Sequence, residues 1–159
     1  MRKQKIYLET TLFNYYFDDD RGFAHDSAVA LFNEIASGNF EAFTSRYVID
    51  ELGAAPEWKR DKMLGLILDY DIPILEPNDE AVRIADLYIM ENIIPHKYRT
   101  DGLHIALATV NELDMIISMN FEHIVKRKTK IGTGNINALN GYRVVEIYTP
   151  MEVIESENH

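Results

Sequence analysis

The chain has no cysteine among its 159 residues. That excludes a disulfide framework, a thiolate zinc site and a cysteine nucleophile, and it is compatible with a reducing compartment. No apolar run approaches the ~20 residues of a membrane span. The opening Met1-Arg-Lys-Gln-Lys leads straight into Ile6-Tyr-Leu and then polar residues, without the apolar core of a secretory signal. A soluble cytoplasmic protein with no membrane association is the expectation. Basic residues are scarce as well: 16 Lys and Arg stand against 26 Asp and Glu, a net charge of −10. As an average this argues against a polyanionic partner. Locally the balance reverses, with Lys126, Arg127, Lys128 and Lys130 clustered and Lys97 and Arg99 just ahead of Asp101. Also lacking is an Asp-x-Asp at the end of the first strand, where Glu9-Thr-Thr stands instead. This discounts phosphate-ester hydrolysis through an aspartyl nucleophile.

What is present suffices for one domain over 1–159. The hydrophobic fraction is 47%, and a chain of this size buries roughly two-thirds of its unfolded surface. Lys5-Ile-Tyr-Leu reads as a short buried strand. After the acidic turn Asp18-Asp-Asp-Arg-Gly, the spacing of Ala28, Leu31, Phe32 and Ile35 predicts a helix that stops at Gly38. Glu41-Ala-Phe-Thr-Ser is a second strand. Tyr47 to Ala55 reads as a helix interrupted by Gly53 and stopped by Pro56. Glu57 to Tyr70 follows as an amphipathic helix with Trp58, Met63, Leu66 and Ile67 inward.

Ile72-Pro-Ile-Leu is a third strand, kept short by a proline that lacks a ladder donor. Asn78 caps a helix carrying Ala81, Ile84, Ala85 and Tyr88, and Thr100 reads as the cap of a very apolar helix from Asp101 to Asn111, which must be covered on most sides. Met115-Ile-Ile-Ser is a fourth strand, the basic Gly/Thr-rich segment from Lys126 to Gly134 reads as a mobile loop, and Val144-Val-Glu-Ile-Tyr is the last strand. Thr149-Pro-Met-Glu spells a capping box with proline in the first helical position. Such alternation implies right-handed crossovers onto a mainly parallel sheet, an α/β fold in three α/β/α layers.

Parallel α/β sheets bind ligands at the carboxyl ends of their strands. Glu9 ends the first strand, Glu51 lies in the helix after the second, Asp101 opens the helix leading into the fourth, and Asn120 follows the fourth. Carboxylates gathered there would repel strongly, one pair at ~4 Å costing ~4 kcal/mol at an effective dielectric near 20. A hard divalent cation with oxygen ligands, Mg²⁺ or Mn²⁺, relieves that repulsion. Two such ions could activate a water and stabilise the leaving oxygen of a phosphodiester. Each residue also has a plainer reading: Glu9 as a solvated strand end, Glu51 as a helix-surface charge, Asp101 as a residue favoured by the helix dipole. His104 shares the helix face of Asp101, about 4.5 Å along the axis, as either a substrate-positioning group or a satisfied core histidine. Tyr7, Tyr15 and Tyr16 read as core or rim.

Ile6-Tyr-Leu-Glu-Thr-Thr-Leu-Phe resembles the opening of PIN domains, where a strand delivers an acidic residue followed by hydroxyl residues. Thr100-Asp-Gly-Leu-His-Ile-Ala-Leu-Ala-Thr is similar to their Asp-x-x-His-x-Ala-x-Ala helix. Met115-Ile-Ile-Ser-Met-Asn-Phe-Glu-His-Ile resembles the strand that follows, with its Asn-Phe-x-His-Ile variant. Ser45 through Glu51 fits the segment bearing the second acidic residue. The resemblance runs from Lys5 to about Ile154 and implies a PIN-like fold and a divalent-metal ribonuclease. It further implies frequent homodimers and, in toxin members of the family, a small antitoxin partner.

On that resemblance Glu9, Glu51 and Asp101 are the catalytic metal ligands and Asn120 an auxiliary one. Thr10, Thr11 and His104 position substrate. Two departures stand out: Glu9 occupies a place where the family usually has Asp, and Asn120 one where Asp is frequent. The lost charge favours one tightly bound ion over two. It also motivates a second expectation, a weakened or inactive module that binds RNA or a protein.

Overall fold

The computed structural model describes residues 2–157. Five strands, β1 (Gln4–Leu8), β2 (Phe40–Ser45), β3 (Ile74–Leu75), β4 (Met115–Ile117) and β5 (Glu146–Tyr148), form one sheet in the order β3-β2-β1-β4-β5. Every pairing is parallel. The helices among the described residues are α1 (Thr10–Phe17), α2 (Phe23–Ala36), α3 (Arg46–Leu52), α4 (Glu57–Asp69), α5 (Asp79–Met90), α6 (Arg99–Val110), α7 (Arg127–Leu139) and α8 (Pro150–Glu157). Right-handed crossovers from β1 outward through β2 to β3 put α1 to α4 on one face, and the return to β4 and β5 puts α5 to α7 on the other. The packing agrees: α1 lies on α2, α3 and α4, α8 on α2, and α5 on α6 and α7. The result is the expected α/β/α sandwich.

The sheet order reverses direction between β1 and β4, the switch point beside which parallel sheets open a crevice at their carboxyl edge. Ile6, Tyr7, Leu8, Ile116 and Ile117, the central rungs, are fully buried. Burial on both faces is why these strands read as continuous apolar runs rather than alternating ones. Asn78 accepts the Ala81 amide at 2.8 Å, as its cap position predicts. The Thr149–Glu152 box is closed, with Glu152 Oε1 accepting the Thr149 amide and hydroxyl, each at 3.0 Å.

Five local expectations are corrected. Thr10–Phe17 is a helix that the periodicity does not announce: its β-branched and aromatic residues are poor helix formers. Packing decides it, Phe13 and Tyr16 both meeting the Phe32 ring edge-on. Trp58 points outward, 62% exposed, while Met63, Leu66 and Ile67 carry the inner face of α4. Strand β3 keeps only two residues. Thr100 is inside α6, whose cap position is Tyr98 because a 3-10 turn at His96–Tyr98 leads directly into the helix.

The largest correction is the segment from Lys126, which is helix α7 and not a loop. Its inward residues, Thr129, Thr133 and Asn137, are spaced four apart but polar, so no apolar stripe advertises them. Each is satisfied internally: Thr133 donates to the Thr129 carbonyl at 2.7 Å, and Asn137 donates to Thr109 at 3.0 Å and accepts from Tyr88 at 2.5 Å. Gly132 lets α7 approach Ile93, where a Cβ would stand 2.6 Å from Ile93 Cγ1.

Candidate functional site

Glu9 leaves β1 at the switch point and caps α1, extended at φ −82° and ψ 162°. Its buried Oε1 accepts three donors: the Thr11 amide at 3.1 Å, the Thr11 hydroxyl at 2.5 Å and the Ser118 hydroxyl at 2.7 Å. Both hydroxyls are held in turn, Thr11 Oγ1 accepting the Met119 amide at 2.8 Å and Ser118 Oγ the Asn120 amide at 2.9 Å. The end of β1 is thus laced to the end of β4 through one carboxylate oxygen.

Glu51 reaches the same edge from α3, the helix that Ser45 caps by accepting the Val48 amide. Its side chain is 38% exposed. Oε1 accepts Thr10 Oγ1 at 2.9 Å and meets His104 Nε2 at 2.5 Å. Burial pushes the Glu51 carboxyl up, but the His104 hydrogen bond and charge, with Thr10, outweigh it and hold the group below the usual carboxylate range.

His104 is fully buried. Nδ1 lies 2.5 Å from the Tyr7 hydroxyl, which lies 2.6 Å from Ser45 Oγ. Burial depresses the imidazole pKa, but the Glu51 hydrogen bond and the charges of Glu51, Glu9 and Asp101 raise it above the ordinary value. With one ring nitrogen on Tyr7 and the other on Glu51, His104 has none to offer a substrate. Its place is behind Glu51, within the protein.

Asp101 sits in the first turn of α6, 8% exposed. Burial and then the charges of Glu9 and Glu51 push its carboxyl up to about 6, against the lowering influence of His104 and His123. No hydrogen bond to either of its oxygens is made among the described residues. Asp101 therefore lies close enough to Glu9 and Glu51 to feel both charges at the shared edge.

The arrangement is an incomplete cage. Among the described residues no three acidic or histidine side chains stand close enough to grip a single ion as they are placed. Glu9 and Glu51 each turn Oε1 onto the protein's own donors, while their Oε2 atoms and both Asp101 oxygens take none. This donor set, hard oxygens of which the Asp101 pair has no donor of its own, suits a divalent cation such as Mg²⁺ or Mn²⁺. Thr10 and Thr11 hold carboxylates. Asn120 closes a turn, its Oδ1 accepting the His123 amide at 3.0 Å.

Sequence reasoning missed Tyr7, Ser45, Ser118 and His123. A buried tyrosine needs a partner for its hydroxyl, and that is the one signal that could have drawn attention to Tyr7. His123 stacks on Tyr98 with ring centroids 3.6 Å apart.

No protein-family model and no curated protein matches the sequence. Solved structures do match in shape. VapBC2 from Rickettsia felis, solved bound to a DNA fragment from its promoter, aligns with a TM-score of 0.59 at 12% identity, over 92% of this chain and 98% of that one. VapBC-5 from Mycobacterium tuberculosis, of the VapBC family of toxin–antitoxin systems, aligns with a TM-score of 0.52 at 18% identity, over 91% and 98%. The likeness establishes a PIN-like fold across nearly the whole chain.

Proposed function

We propose that this chain is a Mg²⁺- or Mn²⁺-dependent endoribonuclease, with Glu9, Glu51 and Asp101 as the catalytic metal ligands. The observation that carries the reading is Asp101: a buried carboxylate without a hydrogen-bond donor, raised to about 6 by burial and by Glu9 and Glu51, is a charge awaiting a cation. A bound divalent ion would supply Lewis acidity and an activated water to a phosphodiester. The chain's own residues prepare the place. Thr11 and Ser118 fix Glu9, Thr10 and His104 fix Glu51, and Tyr7 and Ser45 fix His104 from behind. Asn120 serves as an auxiliary ligand if its turn opens, and Thr10 and Thr11 border the ground where phosphate would lie.

The likeness to VapBC complexes supports a small antitoxin protein as partner; a homodimer as the working form and the cytoplasm as the place of action are proposed from the sequence resemblance alone. Among the described residues no helix is long and apolar enough to cross a membrane.

The test is Mn²⁺-dependent cleavage of single-stranded RNA by the parent chain, Asp101→Asn and Glu51→Gln. Cleavage should fall by at least a hundredfold in each variant; unchanged cleavage in folded variants sinks the reading. A second reading, an inactive RNA- or protein-binding module, draws on the engagement of Glu9 Oε1 by three protein donors and of Asn120 Oδ1 by a backbone amide. Calorimetry separates the two, since millimolar-or-tighter Mn²⁺ binding accompanied by cleavage excludes the inert module.

A further inference from the structure

Lys126, Arg127, Lys128 and Lys130 enter the first turns of α7. In a chain with ten more acids than bases, Arg2, Arg46, Lys59, Arg60, Arg83, Arg99 and Arg143 each hold a carboxylate within 4.0 Å. Among the described residues the four at the start of α7 do not, and unlike the scattered Lys3, Lys5, Arg21, Lys62 and Lys97 they stand together. The first turn of α7 contains no acidic residue and its cap position makes no side-chain hydrogen bond. Cations crowded at the positive end of a helix repel one another and the dipole. Departures from a local rule without an internal gain are what functional sites carry.

The position of this face is fixed relative to the carboxylates. Ser118 Oγ donates to Glu9 and accepts the Asn120 amide, Asn120 Oδ1 accepts the His123 amide, and the His123 carbonyl accepts Thr129 Oγ1 at 2.8 Å. One run of hydrogen bonds thus joins Glu9 to the start of α7. Within the same loop Phe121 is 63% exposed, and Lys130 Nζ stands 6.0 Å from the Tyr148 ring centre at the carboxyl end of β5. Unpaired cations that follow an exposed aromatic in the same segment, where Phe121 borders an apolar hollow with Phe23, Met119 and Met151, suit a single strand, whose unstacked bases can lie on the ring while its phosphates meet the charges.

We infer that Lys126, Arg127, Lys128 and Lys130, with Phe121, form the face that binds the phosphate backbone of single-stranded RNA beside the carboxylate site. The choice of RNA among polyanions rests on the ribonuclease reading; the face itself does not.

The test is equilibrium binding of a fluorescein-labelled single-stranded RNA 12-mer, followed by anisotropy in EDTA, so that no cleavage enters. Four phosphate contacts give a log–log salt slope near −2.8, or roughly 50-fold weaker binding between 50 and 200 mM salt. The variant R127Q/K128Q/K130Q should reduce that slope to about −0.7 and weaken binding at 50 mM at least tenfold. Phe121→Ala should weaken it about fivefold or more while leaving the slope alone. The control K3Q/R21Q/K62Q removes the same charge elsewhere and should leave both nearly unchanged; circular-dichroism melts confirm that all variants fold. Equal losses in the two triple variants, an unaltered slope in the first, or stronger binding of duplex DNA or an acidic peptide would overturn the inference. RNA that binds through this face but is not cut with Mn²⁺ refutes the nuclease reading and leaves this one standing.

Discussion

His104 Nε2 meets Glu51 Oε1 at 2.5 Å, joining a fully buried imidazole to a carboxylate that is 38% exposed. The pair connects the core to the candidate metal edge. Behind it the Tyr7 hydroxyl bridges His104 and Ser45. The exposed end of Glu51 is aimed by groups that no solvent reaches.

Tyr7→Phe keeps the ring and removes the hydroxyl, leaving His104 Nδ1 and Ser45 Oγ short of a partner. The expected cost is about 1–3 kcal/mol of stability, read from urea unfolding. Groups that orient metal ligands typically contribute 10–100-fold to metal affinity. His104→Gln should therefore weaken Mn²⁺ binding by roughly that factor in calorimetry; an unchanged Kd in a folded variant would show that Glu51 needs no such support.

The same pair sets a pH window. The Glu51 carboxyl is lowered, so its contribution is present above the ordinary carboxylate range and is lost as pH falls through its depressed value. The His104 imidazole is raised, so its contribution is complete below the ordinary histidine value and is lost as pH rises through its elevated one. The melting temperature should drop on both sides of that window, and Glu51→Gln should flatten the profile.

Asp101 behaves oppositely to Glu51. Its proton is held to about pH 6 in the fold against an ordinary value of 3.8, so rising pH destabilises the metal-free protein across that interval. Asp101→Asn should match the parent near pH 3.5 and exceed it by about 2–3 kcal/mol at pH 7.5 in EDTA. Mn²⁺ at a hundred times its Kd should stabilise the parent by about 2.7 kcal/mol and the variant far less. Thermal melts at the two pH values, with and without Mn²⁺, check both signs.

Gly132→Ala should destabilise α7 although alanine is the better helix former. A Cβ would meet Ile93 Cγ1, Cγ2 and Cδ1 at 2.6, 2.8 and 2.9 Å, and overpacking of this kind costs about 1–3 kcal/mol against about 1 gained in propensity. Ile93→Ala, which creates space at the clash, should cost less in the Gly132→Ala background than in the parent. Strict additivity in the double-mutant cycle would contradict the contact.

The sandwich and most of its punctuation are legible in local pattern. Continuous apolar runs at Ile6 to Leu8 and Met115 to Ile117 suit strands buried on both faces of a parallel sheet, and Asn78 and Thr149 supply caps by local chemistry alone. The order of elements also places Glu9 after a strand end, Glu51 in the helix after the second strand and Asp101 in the first turn of α6. Tertiary structure decided what local pattern does not encode. Thr10–Phe17 became helical because aromatic packing outweighed weak propensity, and α7 because its buried face is polar and satisfied by Thr109 and Tyr88, partners far away in the chain. The site was divided in the same way. That three carboxylates share an edge follows from topology. That Asp101 lacks a donor while Thr11, Ser118, Thr10 and His104 hold the other two depends on which side chains the folded chain brings within hydrogen-bond reach, and spacing along the sequence does not fix those distances.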